Sequence, residues 1–215
     1  ELVVLGDSSA AGLGADAPHE TVGAIIANGV AALTGRRVHL TNRAVVGAES
    51  SDLERQLANA LEDVMHPDVV VVMIGATDVT HRIERSASVH ALEQTVRRIR
   101  ALGSEVVVGT CPDLGTIQPI AQPLRALMKH WSRDLAAAQT VAVVEAGGRT
   151  VSLADLLGPE FEGAPHEMFS RDRFHPSAAG YARVASAMLP TVCAALGVWG
   201  VDTSDRAPER RRGEG

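Results

Sequence analysis

Short runs rich in Val and Leu recur along the chain and alternate with longer amphipathic stretches: LVVLG (2–6), VHLTN (38–42), DVVVVMIG (68–75), EVVVGT (105–110) and TVAVVEA (140–146). Strands apolar on both faces cannot have one side in water. They belong to a parallel sheet covered by helices on both sides. The intervening stretches carry the helical period. Leu53, Leu57, Leu61 and Val64 share one face behind a capping box formed by Ser51 and Glu54; Val89, Leu92, Val96 and Ile99 repeat the spacing, as do Leu124, Leu127, Met128, Trp131 and Leu135. A closing helix is expected over Ser177 to Leu196, with a kink at Pro190. The order βαβαβαβαβα predicts a three-layer α/β/α, doubly wound sheet of five parallel strands, with ligands bound beyond the strands' carboxyl ends.

With 215 residues, 46% of them hydrophobic, the chain can bury one sizeable core, and a single domain is expected over residues 1–200. The segment 201–215, with mixed charges, Pro and Gly, reads as a disordered tail. A formal charge of -6, whose one basic cluster (Arg210 to Arg212) lies in that tail, argues against a nucleic-acid partner. Two cysteines, Cys111 and Cys193, make neither a disulfide framework nor a zinc site and are expected as buried free thiols. No apolar run reaches the roughly 20 residues that span a bilayer. The chain starts without Met, almost directly in a strand pattern, so removal of an N-terminal segment is expected. A signal peptide in it would mean secretion or the cell envelope; otherwise the cytoplasm is expected. Oligomeric state is not readable.

Small and polar residues gather just after the expected strand ends: GDSSAAGLG, RAVVGAESS, GATDVT and TCPDLGT, with SRDRFHPSAAGY following the fifth. Ser8 lies at a strand-to-helix turn. It is either the helix N-cap or a nucleophile, and the second role needs a base. His175 is the candidate base, and Asp172, three residues earlier, is close enough to hold one imidazole nitrogen. The other histidines (19, 39, 66, 81, 90, 130 and 166) lack ligand spacing. The stretch GLGADA (12–17) fits a dinucleotide pattern in letters, but its first Gly lies beyond the strand end and no acid follows at the required distance. A P-loop and a G-x-S-x-G elbow are absent from the sequence.

Taken together, GDSS after the first strand, Gly47 after the second, GATD after the third and DRFHPSAAGY before the last helix resemble the four blocks of the SGNH hydrolases, also called GDSL esterases and lipases. The resemblance spans residues 6–181. It implies a flavodoxin-like sheet and a serine esterase with Ser8 as nucleophile, His175 as base and Asp172 as its partner. It also implies an oxyanion hole from the N–H groups of Ser8 and Gly47 and a side chain at position 77. The family pattern has Asn there; this chain has Thr77. Losing one such donor costs about 2.7 to 4 kcal/mol of barrier.

No metal or organic cofactor is expected. The expected partner is a small-molecule ester, with short acyl or acetyl groups favoured by the small residues beside Ser8 and by the scarcity of aromatics (three Phe, two Trp, one Tyr). The alternative is a catalytically weakened member that binds cell-surface carbohydrate or acyl ligands.

Overall fold

A computed structural model describes residues 1–198. The expected tail at 201–215 lies outside the described residues. Five strands, β1 (Leu2–Gly6), β2 (Leu40–Asn42), β3 (Val69–Met73), β4 (Glu105–Gly109) and β5 (Arg149–Val151), pair in parallel in the order β2-β1-β3-β4-β5. This is the flavodoxin-like doubly wound order, with the switch point between β1 and β3.

Alternation along the central strands divides the core in two. Leu2, Val4, Val69, Val71, Met73 and Val107 face one layer, where α2 (Val22–Thr34) and α9 (Ala178–Ala195) supply Ile26, Val30, Tyr181, Val184 and Met188. Val3, Leu5, Val70, Val72, Val106 and Val108 face the other, where α3 (Leu53–Asp63) and α5 (Arg85–Ala101) supply Leu53, Leu57, Leu92, Val96 and Ile99. Burial on both faces explains why these strands have no polar alternation.

The fifth strand differs from expectation. TVAVVEA (140–146) is the last two turns of α6 (Leu124–Glu145), and β5 is the short segment Arg149–Val151. No Gly or Pro interrupts 124–146, so the helical period of Leu135, Ala136, Gln139, Ala142 and Val143 runs on; the break comes at Gly147, with φ of +83°. Val141 and Val144, expected in a strand buried on both faces, are each 58% exposed on α6. Leu124 and Leu127 at its start are exposed too, while Met128 and Leu135 are buried.

The capping box expected at Ser51 and Glu54 is not formed. The chain enters α3 through a 3-10 turn (Ser50–Asp52) because Ser50 is drawn into a buried contact with Asp78, and the Asp52 carboxylate accepts from the Glu49 N–H at 3.0 Å instead. Pro190 lies inside α9. Cys111 and Cys193 are buried and free.

Candidate active site

Everything that follows sits beyond the carboxyl ends of β1, β3 and β4. The first element is the turn after β1. Gly6 has φ of +138°, and a Cβ there would lie 1.9 Å from the carbonyl oxygen of Met73, its register partner on β3, so this end of the strand pair admits glycine alone. Asp7 then caps the one-turn helix α1 (Ser8–Ala11), its carboxylate accepting from the Ser9 N–H at 3.0 Å. Capping is therefore done by Asp7, and the Ser8 side chain is left to point elsewhere. Its Oγ lies 3.0 Å from His175 Nε2.

His175 comes from the loop between α8 (Pro165–Met168) and α9, which closes on itself: Phe169 bridges Pro176, the Ser170 N–H donates to the His175 carbonyl at 2.8 Å, and the Arg173 N–H donates to that of Ser170 at 2.9 Å. Inside this turn one oxygen of Asp172 accepts from the Ser170 hydroxyl (2.8 Å) and from the N–H groups of Phe174 (2.8 Å) and His175 (2.9 Å). The other lies 2.6 Å from His175 Nδ1. Desolvation, the largest single influence on Asp172, works to raise its pKa, but the bonds from His175, the two backbone N–H groups and Ser170 together outweigh it and hold the carboxyl well below the usual range. Ser8, His175 and Asp172 thus stand in one hydrogen-bonded line, assembled from both ends of the chain.

Gly47 and Thr77 belong to a second assembly. The loop carrying Gly47 (φ +78°) is held at one side by the Val45 N–H on the Gly6 carbonyl (3.0 Å) and at the other by Ser50, whose N–H (3.2 Å) and hydroxyl (3.1 Å) both reach Asp78. Asp78 also accepts from the Ser88 hydroxyl at 2.7 Å. It follows Thr77 in the first turn of α4 (Ala76–His81), so one buried carboxylate ties the Gly47 loop to the Thr77 turn. Among the described residues the N–H groups of Ser8 and Gly47 and the Thr77 hydroxyl have no acceptor. Such unmet donors are the raw material of an anion site.

Asp7 is the group sequence reasoning missed. It is 2% exposed, and burial pushes its pKa up to about 6, with the nearby Asp78 charge adding to the rise and the Ser9 N–H opposing it. Beside it lies a cavity of about 80 Å³ whose lining includes Asp7, Ser9, Ala76, Phe174 and Pro176 but not Ser8, Gly47, Thr77 or His175. Its far wall is apolar, with Leu114, Leu157 and Phe161. Among the described residues no group of three or more His, Cys, Asp or Glu side chains is arranged to hold a metal ion. None of the described helices is long and apolar enough to cross a membrane.

The sheet order and the strand-end turn bearing Ser8 define the SGNH hydrolase fold, and solved structures agree. The chain superposes on a lipase from a goat rumen metagenome with a TM-score of 0.73 (18% identity, 90% of this chain and 96% of that one). A catalytic mutant of an acetylxylan esterase from Geobacillus stearothermophilus gives 0.70 (18% identity, 91% and 93%). The chain belongs to the GDSL-like lipase/acylhydrolase family, whose pattern matches residues 4–183. It is 46% identical over 188 residues to a GDSL-like esterase of Mycobacterium tuberculosis, covering 87% of this chain and 60% of that protein's length.

Proposed function

We propose that the protein is a serine esterase working by acyl transfer. The observation that carries this reading is the line from Ser8 Oγ through His175 to Asp172, with separations of 3.0 Å and 2.6 Å. His175 Nε2 takes the Oγ proton as Oγ bonds to the ester carbonyl carbon, and Asp172 stabilises the imidazolium that forms. The oxyanion of the tetrahedral intermediate accepts from the N–H groups of Ser8 and Gly47, with the shorter Thr77 side chain at best a weak third donor. Collapse expels the alcohol, which leaves with the proton from His175. Water then bonds to the acyl carbon as His175 takes its proton, and collapse breaks the bond to Oγ, releasing the acid while His175 returns the proton to Ser8.

Short acyl groups are favoured by the small residues beside Ser8 (Ser9, Ala10 and Ala11) and by the small size of the neighbouring cavity, which Asp7 and Ser9 line but Ser8 does not. At about 80 Å³ that cavity is roughly half the volume of an engineered apolar cavity of about 150 Å³ that holds benzene.

The test is a chain-length series of p-nitrophenyl esters with fluorophosphonate labelling, on the wild type and Ser8→Ala. Hydrolysis should be fastest with the shortest chains, and labelling should vanish in the variant. Turnover by Ser8→Ala near the wild-type rate would remove Ser8 from the mechanism. A wild type that neither hydrolyses nor labels would favour a ligand-binding member of the family.

A further inference from the structure

Gln56 is a primary amide where the sequence pattern calls for an aliphatic side chain. It sits on the apolar face of α3 with Leu53, Leu57 and Ala60, and is 2% exposed. Leucine would fill this place without the cost of burying an amide. The amide is instead spent entirely on one residue: the Gly6 N–H donates to Gln56 Oε1 at 2.7 Å, and Gln56 Nε2 donates to the Gly6 carbonyl at 2.9 Å.

Why Gly6 needs this partner follows from the sheet. On the β2 side, pairing with β1 ends at Val4 and Asn42, so the last residue of β1 has no strand beside it there. A buried backbone N–H without an acceptor is strongly disfavoured, and Gln56 replaces the missing strand. The same Gly6 carbonyl accepts from the Val45 N–H at 3.0 Å. Gly6 is two residues before Ser8, and Val45 two before Gly47. One peptide group therefore joins α3, the Ser8 turn and the Gly47 loop.

We propose that Gln56 is a positioning residue for acyl transfer, its carboxamide fixing the spacing between the Ser8 hydroxyl and the Gly47 N–H. The inference rests on the esterase reading above. It concerns geometry that matters as the oxyanion forms, so loss of the amide lowers kcat and leaves KM for a small ester unchanged.

The experiment compares wild type, Gln56→Met and Gln56→Glu as full chains, with kcat and KM for p-nitrophenyl acetate from about pH 5 to about pH 9 and circular dichroism at each point. Gln56→Met keeps the volume and loses both bonds; kcat should drop about tenfold or more at every pH with KM within about twofold. Gln56→Glu carries a conditional donor. Protonated, its carboxyl can both accept from the Gly6 N–H and donate to the Gly6 carbonyl, so at the acid end its rate should match the wild type. Once ionised it faces that carbonyl with negative charge, and its rate relative to the wild type at the same pH should fall progressively. A side chain that only filled space would give a ratio independent of pH in the folded protein. If Gln56→Met does not fold, the pH dependence of the Gln56→Glu ratio decides. A flat ratio, folded variants with kcat within about twofold of the wild type at all pH values, or a Gln56→Glu protein unfolded at the acid end would each overturn the proposal. A wild type without turnover or fluorophosphonate labelling would instead overturn the esterase reading, and this inference with it; labelled wild type with indifferent variants sinks the role of Gln56 alone.

Discussion

Two aspartates flank the Ser8–His175 pair, and their surroundings push them in opposite directions. Asp7 ends a strand turn, is 2% exposed, and has its pKa raised by burial to about 6. Asp172 sits in a surface turn with its side chain 46% exposed and is held well below the carboxylate range by four hydrogen-bond donors. The contrast extends to the halves of the site they belong to. The Ser8 half is held by distant parts of the chain: Met73 under Gly6, Gln56 beside it, Asp78 under Ser50. In the His175 half, the bonds that orient Asp172 against His175 all lie between residues 170 and 175. One half depends on the whole sheet being in register; the other carries its own frame.

The sharpest way to break this comparison is Gly6→Ala. The added Cβ would meet the Met73 carbonyl at 1.9 Å, φ there is +138°, and both strands are pinned by parallel pairing along their length. Loss of more than about 4 kcal/mol is expected, enough to leave little folded protein. The His175 turn makes no such demand: Arg173 holds φ of +58°, within the left-handed region that L residues can reach, and its side chain is exposed. A Gly6→Ala protein with a urea midpoint close to the wild type would mean that the β1–β3 pair yields at Met73, and that the two halves do not differ in rigidity.

Asp7→Asn sharpens the electrostatic side. An acid whose pKa rises from 3.8 to about 6 on folding binds a proton in the folded state that the unfolded chain releases between those values. Stability from this group therefore grows as pH falls from about 6 toward 3.8, and above 6 the buried charge is a standing cost. Asn keeps the oxygen that caps α1 and removes that charge. It should stabilise the fold by up to about 3 kcal/mol at pH 8 and by nothing near pH 4, at about 1.4 kcal/mol per decade. Asp172 works with the other sign: its lowered pKa contributes stability above 3.8 that is lost as pH falls below it. Denaturant melts of wild type and Asp7→Asn at both pH values check this; an equal difference at the two would show that folding does not shift the Asp7 pKa.

How legible each half was follows the same division. The turn 170–177 was readable because its partners are neighbours in sequence; a D-x-x-H spacing alone brings Asp172 to His175. The central strands were readable as well, since burial on both faces leaves an unbroken run such as VVVV (69–72). What escaped were contacts with no local trace. Gln56 finds Gly6 across 50 residues and Ser50 finds Asp78 across 28, and neither pairing follows from a helical period. A glutamine inside the apolar stripe of α3 was the available signal. The fifth strand was misplaced because three residues, Arg149 to Val151, carry too little pattern to compete with the β-branched end of α6. At Ser8 the two readings of the turn were resolved by its neighbour, since Asp7 took the capping role.

The smallest expected effect concerns Thr77, the point where the Ser8 half departs from the pattern it resembles. Its side chain is 9% exposed in the first turn of α4, and its hydroxyl has no acceptor among the described residues, so it is free to donate to a developing oxyanion but is shorter than Asn. Thr77→Asn should raise kcat about tenfold, less than the full value of about 2.7 to 4 kcal/mol for a well-placed donor because the pocket is shaped around threonine. KM for a short ester should hardly move, since the charge being stabilised exists only in the transition state. Thr77→Val is the paired measurement. A hundredfold loss in Thr77→Val together with no gain in Thr77→Asn would show that the threonine hydroxyl already serves as third donor, and that the Asp78-anchored assembly is complete as it stands. If both variants keep the wild-type kcat, position 77 contributes nothing to the oxyanion, and the Ser8 half works with the Ser8 and Gly47 N–H groups alone.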